Sequence, residues 1–286
     1  MASAVVMGAG VAFATVGLGK AEPNRRGVPA AASDHVAGPA STPPPAPSPV
    51  LPFNAKLSST DIPIPGGGVR AGGCSGSLIA PEWIITAGHC FHDINDVRIS
   101  GAPTHVTTVT VGKLKDSDPG GHSAQVVDVR QSPVNDIALA RLGTAVPDIV
   151  PLALPDAPPT AGQQLRFVGW GSRSASVALP SDQLKQGQFA ILVIGDFTLE
   201  ADSVVPRTVD NSPCPVDSGA PFFLSDDDRT GTLVAVESTG PPCPQPGHET
   251  ISRVDVIADW IRQQIGPARP LPAHGSTADT PARSTG

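Results

Sequence analysis

A histidine, an aspartate and a serine follow one another along this chain, each in its own local setting: Thr86-Ala87-Gly88-His89-Cys90, Asn135-Asp136-Ile137-Ala138-Leu139 and Asp217-Ser218-Gly219-Ala220-Pro221. Cleaving an amide or ester at neutral pH needs an alcohol made nucleophilic by a base, and a carboxylate to orient that base. His89 can serve as the base, Asp136 as the carboxylate and Ser218 as the nucleophile. Each alone has a bland alternative: a satisfied structural histidine, an aspartate capping a turn after Asn135, an ordinary loop serine. Standing directly before the apolar run Ile137-Ala138-Leu139, Asp136 reads better as a carboxylate at a strand mouth. Ordered and well separated, the three point to hydrolysis through a covalent intermediate.

The elements that must position them read as β. His105 to Val111 alternates β-branched residues, and Gln125 to Val129, Ile137 to Leu142 and Gln188 to Ile194 are short apolar runs. Turn residues punctuate them at Asp118-Pro119-Gly120-Gly121, Pro147-Asp148 and Gly195-Asp196. Many short strands with such turns predict an all-β barrel or sandwich. One helix is expected, at the end: Val254, Ile257, Ala258, Ile261 and Ile265 recur at helical spacing, and Gly266-Pro267 stops it.

Both ends differ in composition from the middle. Ala2 to Gly19 is uncharged and largely apolar, so residues 1–20 read as a signal peptide or a membrane anchor, with the choice left open. Residues 21–53 are a Pro/Ala-rich spacer centred on Pro43-Pro44-Pro45, and residues 266–286 are a second strip of that kind. The remaining residues, 54–265, suit one two-lobed unit. The net charge is −7 without a basic cluster, which leaves nucleic-acid binding no electrostatic footprint. Four cysteines in an exported chain suggest disulfides, with three pairings open. A metal site on His89, Cys90 and His92 is the weaker reading, because adjacent ligands converge poorly on one tetrahedral ion. Asp226-Asp227-Asp228 reads as a solvated hairpin tip. His92, His105, His122 and His248 carry no partner pattern and no assigned role.

From Gly66 to Ile265 the chain resembles the trypsin-like serine proteases, as a divergent, exported, bacterial member. Trp83 to Cys90 matches that family's histidine loop, Val168-Gly169-Trp170-Gly171 the strand opening a second barrel, and Val236 to Gly240 the wall of the substrate pocket. The resemblance implies two antiparallel six-stranded β-barrels with a C-terminal α-helix, and a polypeptide substrate. It implies the roles given above for His89, Asp136 and Ser218, and an oxyanion hole from the N–H groups of Val216 and Ser218. It selects the disulfides Cys74–Cys90 and Cys214–Cys243. Ser238 would steady Asp136 and align substrate. Ser212 falls at the pocket floor, and Gly240 and Gly247 at its walls, which implies cleavage after bulky apolar residues. Thr239 replaces a tryptophan that usually floors the cleft. No cofactor is called for, a monomer is expected, and the location is outside the cell or on its outer membrane face.

Two departures matter. Relatives usually pair the aspartate at position 217 with an α-ammonium freed by cleavage before an Ile-Val-Gly-Gly-like start, and this chain has no such start. Asp217 is therefore expected to be satisfied internally. The family pattern Gly-Asp-Ser-Gly-Gly reads here Val216-Asp217-Ser218-Gly219-Ala220. Val216 must either adopt a backbone conformation that β-branched residues resist, or turn its N–H away. An inactive binding module on the same fold, and an esterase with the same three residues, are the rival classes.

Overall fold

The computed structural model describes residues 50–266; the expected N-terminal segment, most of the spacer and the tail beyond Gly266 lie outside the described residues. Strands β1 (Asn54–Pro63), β2 (Val69–Ala80), β3 (Trp83–Thr86), β4 (Val106–Val111), β5 (His122–Gln131) and β6 (Ala138–Leu142) close into an antiparallel barrel in the order β1-β2-β3-β6-β5-β4. Strands β7 (Gln164–Gly169), β8 (Lys185–Ile194), β9 (Thr198–Ser203), β10 (Pro221–Leu224), β11 (Thr232–Thr239) and β12 (Glu249–Arg253) close a second one, ordered β10-β11-β12-β9-β8-β7. The chain has the two-barrel fold that the resemblance implied. Closure pairs the described barrel strands on both edges.

Alternation explains why these runs are strands. In β4, Thr107, Val109 and Val111 are buried while Val106 is exposed and Thr108 and Thr110 are partly so. Register sets Leu57 opposite Val109 and Ile85 opposite Leu139, stacking branched residues inside the first barrel. The second barrel is filled by rings: Phe222 sits 5.4 Å from Phe167 and 5.2 Å from Phe189. Such aromatic pairs contribute roughly 0.5–1.5 kcal/mol each beyond their buried area.

Three differences from the sequence expectations have clear causes. The terminal helix is α only over Ala258–Ile265 (α1), because Asp255–Ile257 form a tighter 3-10 turn at its start. The fold begins before residue 54: Leu51 and Phe53 are fully buried, and the Leu51 N–H donates to the Asp228 carbonyl. The run expected from Gln188 starts three residues earlier, at Lys185, which is buried although charged. Period-two hydrophobicity misses such a residue, since it belongs to the strand by hydrogen bonding and not by polarity.

Candidate active site

His89 lies in a 3-10 turn, Gly88–Phe91, immediately after β3. The disulfide Cys74–Cys90 ties this turn to β2, and its loop-entropy contribution is about 3 kcal/mol. The His89 backbone N–H donates to Asp136 Oδ1 at 2.8 Å, and its ring Nδ1 faces Asp136 Oδ2 at 2.8 Å. Two contacts to one carboxylate fix both the turn and the imidazole plane. Nδ1 bound in this way leaves Nε2 as the nitrogen free to take a proton.

Asp136 is placed by its neighbour. Asn135 is buried, and its side-chain amide donates to the Arg253 carbonyl at 2.8 Å while its oxygen accepts from Ser132 Oγ at 2.7 Å. The loop ahead of β6 is thus pinned to β12 of the other barrel. Ser238 Oγ, from β11, donates to Asp136 Oδ2 at 2.6 Å. Burial alone would raise the Asp136 carboxyl, but the His89 and Ser238 contacts outweigh it and hold it at about 2. Asp136 is therefore ionised at neutral pH.

Ser218 sits on the loop between β9 and β10, held from both barrels. Ser75 of β2 donates its backbone N–H to the Ser218 carbonyl at 2.8 Å. Ser75 Oγ also accepts the Trp170 N–H at 2.8 Å and donates to the Val216 carbonyl at 3.3 Å. Gly219 follows at φ +88°, and a β-carbon there would run into the Ser75 carbonyl and Thr86 Oγ1. Val216 has φ 80°, so this β-branched residue takes the conformation that glycine would take. Its side chain is half-buried. Among the described residues Ser218 Oγ makes no hydrogen bond to His89; such contacts are often long without substrate and tighten when it binds. Both residues line one cleft of ≈ 610 Å³, with Ile62, Ile64, Arg70 and Asp93 along its wall.

The other expected site residues divide. Cys214–Cys243 is formed as well, and no described cysteine is free. Cys90 is thereby removed from any metal set, and His92 Nδ1 faces Asp96 at 2.7 Å. Ser212 is fully buried, and its hydroxyl donates to Asn211 at 3.1 Å instead of facing open space. Thr239 is exposed at the end of β11. Gly240 does not open onto an empty pocket, because a β-carbon there would collide with the Glu249 carboxylate. Gly247 has φ +142° and backs onto Pro241.

Sequence reasoning missed the charges behind this wall. Glu249 is buried, paired with Arg207, and pushed up to about 7 by burial against the opposing effect of that guanidinium. Arg207 also donates to the Gly247 carbonyl. Glu237 is buried on β11, its Oε2 has no partner among the described residues, and burial raises its carboxyl well above the ordinary range. A glutamate within an otherwise apolar strand run, Leu233 to Val236 followed by Glu237, was the available signal.

A family model described as Trypsin matches residues 46–261. Brachyurin of Leptuca pugilator is 27% identical over 209 residues, covering 68% of this chain and 88% of that protein. Trypsin 5G1 of Aedes aegypti is 29% identical over 215 residues, 68% of this chain and 75% of that protein. Transmembrane protease serine 5 of Homo sapiens is 27% identical over 212 residues, and the match spans 66% of this chain and 45% of the human protein.

Proposed function

The chain belongs to the trypsin family and is a serine-type endopeptidase, and from that premise we propose that His89, Asp136 and Ser218 carry the reaction. The observation that supports it most is the double contact of His89 with Asp136, reinforced by Ser238. In this mechanism Ser218 Oγ attacks the scissile carbonyl while His89 Nε2 takes its proton. Asp136, ionised, stabilises the imidazolium so formed. The backbone N–H groups of Val216 and Ser218 hold the oxyanion. The imidazolium then protonates the leaving amine, and water with His89 as base hydrolyses the acyl-enzyme. An organophosphonate probe on the full chain tests this, with Ser218→Ala as control. Labelling in wild type and none in the variant is expected. Absence of labelling in both favours the binding-module reading. Faster turnover of short acyl esters than of casein would favour the esterase reading.

Side-chain preference belongs to the same proposal. A bulky apolar residue was expected from Ser212, Gly240 and Gly247, but the Glu249 carboxylate stands against Gly240. Three buried carboxyl groups (Asp217, Glu237 and Glu249) share this region with the buried Lys185 and with Arg207, which also pairs with Asp202. An apolar side chain would leave Glu237 Oε2 without a donor, whereas a basic one could supply it. We therefore place Lys or Arg ahead of bulky apolar residues at the cleavage site. A peptide library varied at that position decides between them, and Glu237→Gln should weaken a basic preference. Export to the cell exterior or its outer face is proposed on the two disulfides and the apolar segment 1–20.

A further inference from the structure

Asp217 lies between Val216 and Ser218, and its side chain is fully buried. A buried carboxylate without a cation is costly enough to displace the loop that carries it. Here the cation is Lys185, at the first position of β8, with its Nζ 2.5 Å from Asp217 Oδ2 and its side chain 1% exposed. That ammonium also donates to the Ser212 carbonyl at 2.9 Å and to the Ser172 carbonyl at 3.2 Å. Three acceptors meet the three donors of one ammonium. Asp217 is completed by the N–H groups of Gly171, at 2.7 Å, and Cys214, at 2.9 Å. The fit is close on the far side as well: a β-carbon on Gly169 or Gly171 would overlap the Asp217 carboxylate.

The consequence lies in which segment Lys185 grips. Ser212 and Asp217 bracket the stretch that leads to Val216 and Ser218, and one ammonium holds both ends of it. We propose that Lys185 is a positioning residue that sets the Val216–Ser218 loop in the chain with residues 1–49 still attached, so that no new chain terminus has to be liberated to form the site. This rests on the protease reading above. Asp217 is the carboxylate in contact with Lys185, and the carboxyls of Glu237 and Asp210 stand farther off.

The test uses the full chain as wild type, Lys185→Met, Asp217→Asn and the double variant. Readouts are the probe-labelling rate at Ser218, the intact mass of the labelled species, and hydrogen exchange of the Val216 to Gly219 amides. Wild type should label with residues 1–49 attached. Lys185→Met should label about 10²–10³-fold more slowly, the loss expected when an oxyanion donor is misplaced. The double variant removes the stranded charge and should regain the fold, measured by its urea midpoint. It should still label at least about 10-fold below wild type, since the loop stays untethered, and its loop amides should exchange faster. A double variant as reactive as wild type, or a wild type that labels only after cleavage between residues 50 and 69, overturns the proposal. A wild type that never labels removes the protease reading alone; loop exchange then decides Lys185, faster in the double variant supporting it and unchanged overturning it.

Discussion

Replacing Val216 by alanine and by glycine separates the strain at this position from its packing. Val216 has φ 80°, and holding an L-residue in such a region costs of order 1–3 kcal/mol. Val216→Ala removes two half-buried methyl groups, about 1 kcal/mol, and keeps most of the strain. Going on to glycine relieves roughly 1–2 kcal/mol of left-handed strain and loses about 0.5–1 kcal/mol to the freer unfolded chain. Val216→Gly should thus be more stable than Val216→Ala by roughly 0.5–1 kcal/mol, the reverse of the order at an ordinary backbone position. Urea denaturation midpoints at equal slope measure it. The N–H of a residue already in the glycine conformation needs no recovery. Probe labelling should therefore rise by less than about 10-fold in Val216→Gly, short of the 10²–10³-fold that a regained donor supplies. If Val216→Ala is the more stable variant, or if glycine restores a hundredfold in labelling, the residue is not in this conformation and the hole is not preformed.

Two other predictions concern the same cluster. Asp136 is held at about 2 against an ordinary 3.8, so its folded pKa is depressed; the stability this contributes, about 2 kcal/mol, is present above pH 4 and lost as pH falls towards 2. Comparing urea midpoints of wild type and Asp136→Asn across that window should give a flatter acid limb in the variant, and equal limbs would show the carboxyl to be unperturbed. Gly219→Ala should abolish labelling and lower the melting temperature, because the added methyl meets a backbone carbonyl, Ser75 O, at a residue with φ +88°; a variant that labels at half the wild-type rate or faster would show the loop to be looser than described.

Much of this molecule is written locally. The settings of His89, Asp136 and Ser218 are short motifs whose residue types follow from backbone geometry, and strands such as Val106–Val111 follow from alternation that only a half-buried strand satisfies. The Cys74–Cys90 and Cys214–Cys243 pairs came from resemblance, since four cysteines alone left three pairings open. The sequence also carried the question at Asp217, a carboxylate with no terminal ammonium in prospect, and at Val216. It could not carry the answers. Lys185 is 32 residues from Asp217 in the chain, and the two meet because barrel closure brings β8 beneath the loop before β10. The pocket wall shows the same limit: Gly240 reads locally as open space, and only the pairing of β11 with β12 puts the Glu249 carboxylate into it. Local pattern encodes which residues form strands and which bear chemistry. Partnerships between buried charges far apart in sequence arise only from packing, because their energies depend on distance and desolvation that no single segment contains.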